Sequence, residues 1–102
     1  MNIVRKCECM VNLNPRTNEI KQFFFTTKEV DWDECPCSPN SDRRLVPKLM
    51  GFDMRTDEEF PPSGSWWVDR VATNEERDRC FQWMKDTGIQ FNPNTLEYNY
   101  GG

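Results

Sequence analysis

The run Ile20-Lys21-Gln22-Phe23-Phe24-Phe25-Thr26-Thr27 decides how this chain folds. It is rich in aromatic and β-branched residues, the types that pack well on a pleated surface. Strand side chains alternate between faces, so three consecutive phenylalanines put aromatics on both sides. Such a strand is either covered on both sides or offers one side as a contact surface.

Upstream, residues 2–13 alternate with a period of two. Ile3, Cys7, Cys9, Val11 and Leu13 share one face with Arg5, and Lys6, Glu8 and Asn12 share the other with Val4 and Met10. This predicts a single strand. Asn14-Pro15-Arg16-Thr17-Asn18 supplies turn chemistry, so the two segments form an N-terminal antiparallel hairpin.

Downstream, residues 30–65 hold five of the seven prolines, with clustered acids and small polar residues. The pattern predicts a long irregular middle loop, interrupted by one short helix around Pro47–Met50 that Gly51 ends. Residues 65–72, with Trp66, Trp67 and Val68, read as a second strand region. Thr73-Asn74-Glu75-Glu76 then has the spacing of a capping box and starts a helix over about 74–87. Cys80, Phe81 and Met84 share its core stripe, Trp83 flanks it, and Gly88 is placed to cap it. Ile89–Phe91 and Leu96–Tyr100 suggest a last hairpin around Asn92-Pro93-Asn94-Thr95. The chain reads without an internal repeat.

A length of 102 residues allows one domain, 1–102. The predicted class is α+β, a small antiparallel sheet built on the N-terminal hairpin and further short strands, with one main helix. No apolar run approaches the roughly 20 residues of a membrane span, so no membrane partner is expected. The first ten residues lack the apolar core of a secretory signal, which predicts a cytoplasmic location.

The five cysteines then favour ligation or burial over a disulfide framework. Cys7-Glu8-Cys9 and Cys35-Pro36-Cys37 are two C-x-C pairs that a hairpin could fold together, and four thiolates could close a structural zinc site. Buried thiols and disulfides stay open as alternatives, because free cysteine also behaves as a small hydrophobe. Cys80 lies on the core stripe of the helix and reads as packing.

Histidine is absent, which removes the usual general base near neutral pH and every Ser–His or Cys–His pair. No Gly-rich phosphate cradle or nucleophile elbow is present, and no carboxylate pair is singled out among seventeen acids. The expectation is that the chain is not an enzyme. Its formal charge of −4 makes nucleic acid an improbable partner. The acidic runs Glu29, Asp31, Asp33 and Glu34, and Asp57, Glu58 and Glu59, read first as solvated loops and second as a surface that mimics DNA phosphates or docks a basic partner.

Trp66 and Trp67 are adjacent and must face opposite ways on a strand, just after Phe60-Pro61-Pro62. Aromatic anchors beside a rigid loop are typical of interfaces, and a small core closing over a loop is the alternative reading. Trp66, Trp67 and Phe60, rimmed by Asp57, Glu58 and Glu59, are therefore the candidate contacts with a larger protein. The function expected is a small acidic protein-binding module, a regulator or inhibitor in the style of those carried by phage or mobile elements. Two other readings compete. One is a zinc-containing nucleic-acid-associated module. The other rests on the terminal Gly101-Gly102, which resembles the diglycine end of ubiquitin-like carrier proteins, although those folds place their helix soon after the first hairpin.

Overall fold

The computed structural model describes residues 2–56 and 58–100, with side chains throughout except at 60–63. The chain runs β1 (Ile3–Val4), β2 (Cys9–Leu13), β3 (Ile20–Thr26), β4 (Val30–Asp31), a 3-10 turn (Trp32–Glu34), β5 (Arg44–Asp53), β6 (Glu58–Val68), β7 (Arg70–Val71), α1 (Asn74–Thr87), β8 (Ile89–Phe91) and β9 (Tyr98–Tyr100). Five strands form one antiparallel sheet in the order β6-β5-β3-β2-β7, while β1–β4 and β8–β9 are separate two-stranded pairs. This is a mixed α+β architecture. Among the described residues no helix is long and apolar enough to cross a membrane.

The two edge strands of this sheet, β6 and β7, are separated along the chain by Asp69 alone. The sheet therefore curls: β6 lies on β5, from Glu58 opposite Asp53 to Val68 opposite Arg44, and its continuation β7 closes on β2, where Val71 faces Met10. A polar latch holds the closure. The Leu13 N–H donates to the Asp69 carboxylate at 2.6 Å, Arg43 Nε donates to the same group at 3.0 Å, and the Arg43 guanidinium also donates to the Leu13 carbonyl. Asn12 Nδ2 donates to the Trp67 carbonyl at 2.8 Å.

The three phenylalanines of β3 show why the sheet has two cores. Phe24 points into the curl with Met10, Val46, Leu49 and Val68, and Val4, Val30 and Cys35 pack against this cluster. Phe23 and Phe25 point outward with Cys9, Val11, Met50 and Phe52, under Cys80 and Met84 of α1 and Ile89 of β8. None of the three rings is more than 1% exposed. Both sides of the strand are covered, and neither is left as a contact surface.

Three local expectations give way to the sheet. The helix expected at Pro47–Met50 is part of β5, which is hydrogen-bonded to β3 on one side and β6 on the other. A single helical turn makes too few hydrogen bonds to compete with two strand partners. Pro47 is tolerated because the register with β6 shifts between Val46 and Leu49, and Lys48 there adopts a φ of 51°. That irregularity lets both Val46 and Leu49 face inward. Gly51 does not end a helix but faces Phe24 across the ladder. A Cβ at this position would lie 2.5 Å from Phe24 Cδ1 and 2.6 Å from the Phe23 carbonyl oxygen.

The irregular middle loop expected over 30–65 shrinks to the stretch between the 3-10 turn and β5, since β5 and β6 fill most of the rest. The single strand expected over 2–13 breaks between Val4 and Cys9, where Cys7 has a φ of 66°.

The helix and the last hairpin lie where local signals put them. Thr73 Oγ1 accepts from the Glu76 N–H at 3.2 Å, the Glu76 carboxylate accepts from the Thr73 N–H at 2.9 Å, and Gly88 closes the helix with a φ of 86°. Arg70 of β7 grips the same Glu76 carboxylate at 2.5 and 2.8 Å. Hydrogen bonds from Arg70 outweigh the effect of burial and pull the Glu76 carboxyl down to about 2.

A repeat does exist, at the level of turns. Asn14-Pro15-Arg16-Thr17-Asn18-Glu19 and Asn92-Pro93-Asn94-Thr95-Leu96-Glu97 share the pattern N-P-x-T-x-E. They link β2 to β3 and β8 to β9.

Candidate protein-interaction surface

The candidate cysteines do not meet at one point. Cys9 is buried in the helix-covered core, and Cys35 is buried in the core inside the curl, so the sheet lies between them. Cys9 shares the face of its β3 partner Phe25, whereas Cys35 packs with Phe24 inside the curl; the break at Cys7 also ends the extended alternation that would have aligned Cys7 with Cys9. Cys7 instead donates to the Asn94 carbonyl at 3.4 Å, and Cys37 is exposed on a bridge to Arg44. Among the described residues no group of three or more Cys, Asp or Glu side chains could hold one metal ion. Cys9 meets Cys80 instead. Their hydrogen bond, reinforced by burial, pushes the Cys80 thiol far above its ordinary value.

The tryptophans divide as adjacency on a strand requires. Trp66 turns toward the interior and stacks on Phe24 with centroids 5.9 Å apart. Trp67 turns outward and is 40% exposed. Asp57 lies outside the described residues, as do the side chain of Phe60 and the terminal Gly101-Gly102 on which the carrier reading rests. Glu58 and Glu59 are exposed at the far end of β6, opposite Asp53 and Phe52, whereas Trp67 is opposite Leu45. That separates these acids from Trp67 by eight to nine residues, roughly 25–30 Å of extended strand. Glu59 accepts from the Tyr100 hydroxyl at 3.3 Å, and burial together with Glu59 pushes the Tyr98 hydroxyl up to about 12.

A different set of residues gathers around Trp67. Directly paired residues of antiparallel strands share a face, so Trp67 and its partner Leu45 form a cross-strand pair on the outer side of the curl. Leu45 also lines a surface groove of about 300 Å³ between β4 and β5, whose walls include Val30, Cys35, Pro36 and Pro47. Glu29, Asp31 and Glu34 rim this groove, with Lys28 at one side. At the opposite end Asp31 is the direct partner of Ile3, which is 43% exposed. Ile3 and Trp67 are thus each the strand partner of a residue that lines this groove.

The groove has a firm floor. Asp31 Oδ1 accepts from the Asn2 and Asp33 N–H groups at 3.3 and 3.1 Å, which starts the 3-10 turn. Arg44 donates to the Cys35 carbonyl at 2.9 Å and the Asp33 carbonyl at 3.3 Å, tying that turn to β5. The Cys35 thiol donates to the Asp31 carbonyl at 3.4 Å. Burial raises its pKa; Arg44 opposes this, and Asp31 and Glu34 add to it.

Leu45, Pro47 and Ile3 carried no signal as site residues in the sequence, and the acids at 29–34 read first as a solvated loop. They come from β1, β5 and the segment around β4, and the pairing of β1 with β4 sets Ile3 beside a residue of the groove. No protein-family model matches this chain, and neither a curated protein nor a solved structure matches it.

Proposed function

We propose that this chain is a non-enzymatic protein-binding module that docks a larger protein, as a regulator or inhibitor, through the surface between Ile3 and Trp67. The observation that carries this reading is the outward Trp67–Leu45 pair, an exposed aromatic with an aliphatic neighbour on a rigid strand pair. Tryptophan at the centre of a contact contributes more than its share of binding energy, since it buries a large surface and loses few rotamers. Polar groups around it exclude water from the centre, and the acids at 29–34 are placed to form such a rim. Trp66 is not part of the contact in this reading; it closes the core beneath it.

The test is affinity capture with the immobilised full chain from a lysate of the organism that encodes it, beside the variants Trp67→Ser and Leu45→Ser. A specific partner should be retained by the native chain and fall at least about 30-fold with Trp67→Ser, the fold-change of a 2 kcal/mol hot spot. Circular dichroism and melting temperature should stay close to native in both variants. Equal capture by the native and variant chains would remove this surface from the function.

A further inference from the structure

The surface carries a charge pattern that points to its occupant. Glu29 and Glu34 are exposed, line the groove, and have no ion pair or side-chain hydrogen bond among the described residues. Arg44, beneath the groove but not among its lining residues, donates to the backbone carbonyls of Cys35 and Asp33 rather than to these carboxylates. Two carboxylates without counter-ions among the described residues therefore stand over a groove walled by Val30, Pro36, Leu45 and Pro47, with Lys28 the one cation among its described lining residues.

We infer that the occupant is a basic segment of the partner protein, whose Lys or Arg side chain lies along the groove while an apolar neighbour meets Trp67. This rests on the protein-binding reading above. Long cationic side chains lay an aliphatic stem on apolar surface and keep the charged head in water. Here Leu45 and Pro47 supply that surface, and Glu29, Asp31 and Glu34 receive the head. The same carboxylates speed encounter with a basic surface and repel phosphate-bearing or acidic partners.

The experiment selects binders from a random 12-residue peptide display library on the immobilised full chain and measures the enriched peptides by fluorescence anisotropy. Arginine or lysine beside an aromatic or aliphatic residue should be enriched. Affinity should fall about tenfold between 50 and 300 mM NaCl, and by a similar factor in Glu29→Gln/Glu34→Gln. Glu29→Lys/Glu34→Lys should abolish binding; the Gln pair keeps the test valid if that reversal disturbs the fold.

Neutral or acidic peptides that still require Trp67 overturn the basic occupant and leave the protein-binding reading standing. Affinity unchanged in the Gln pair overturns it too, as does failure to enrich any peptide that requires Trp67. Sedimentation that shows a dimer lost on Trp67→Ser would give the surface to a second copy of this chain instead.

Discussion

The turns at 14–19 and 92–97 have one backbone design in two different settings. In each, the first Asn accepts on its side chain from the N–H two residues on, at 2.9 Å in both. Its carbonyl accepts from the fifth residue at 2.8 Å in both, and its own N–H donates to the Glu carbonyl at 2.7 and 2.9 Å. The Thr hydroxyl accepts from the Glu N–H at 3.3 Å in both. The fifth residue is left-handed each time, at a φ of 63°, but it is an exposed Asn18 in one turn and a half-buried Leu96 in the other.

Asparagine tolerates that conformation because its short polar side chain suits the local backbone, whereas leucine meets a steric cost. Leu96 packs against the helix-covered core, and that burial offsets the cost. The difference extends to the strands. β2 and β3 are hydrogen-bonded into the five-stranded sheet, while among the described residues β8 and β9 pair only with each other. The second hairpin is held through side chains. Phe91 lies 4.8 Å from Phe25 and 5.9 Å from Phe52, and Tyr98 lies 5.5 Å from Phe52, ring centre to ring centre. Identical turn chemistry can thus close a hairpin that the sheet carries and one that only the core carries.

The sharpest way to break this comparison is Phe52→Ala. Phe52 is fully buried and touches Phe91, Tyr98 and Trp83, so truncation should cost about 3–5 kcal/mol. Urea unfolding measures that loss. Amide exchange should rise first over residues 89–100 and leave β2–β3 protected; uniform acceleration would show that the two hairpins open together.

A smaller effect comes from acid. The folded Glu76 carboxyl lies near 2, below its ordinary 4.5, so its contribution is complete above about pH 4.5 and is lost as pH falls from there toward 2. Arg70 is 43% exposed, and solvent screening reduces the contribution to about 1 kcal/mol. Glu76→Gln should lower stability at neutral pH and flatten the acid limb of the stability profile; an unchanged limb would mean that other carboxylates set it.

The smallest effects compare the two left-handed positions directly. Leu96→Gly relieves the backbone but removes packing, and should cost a net of about 1 kcal/mol. Asn18→Gly removes neither packing nor fit and should stay within about 0.5 kcal/mol of native. Equal costs by thermal melting would mean that Leu96 contributes nothing through burial.

What could be read in advance was local. The capping box at Thr73–Glu76, the cap at Gly88 and the last hairpin each lie within a few residues of their own signals. The triple phenylalanine was equally informative, because alternation on a strand requires aromatics on both faces. Pro47 and Gly51 misled because each has a plausible local role in a helix. Both are instead used by the sheet, one at a register shift and one beneath the Phe24 ring. The cysteine pairs misled because strand register, not spacing, sets their faces: Cys9 lies with its partner Phe25 on the helix-covered side and Cys35 packs inside the curl.

The amino-acid order by itself determined the helix, the turn chemistry and the demand that β3 be covered twice, since these follow from contacts a few residues apart. Tertiary structure alone decided the curl of the sheet, the separation of Cys9 from Cys35 and the gathering of Glu29, Asp31, Glu34 and Leu45 at one groove. Such placements depend on strand register and closure, which join residues tens of positions apart and leave no mark in any short stretch.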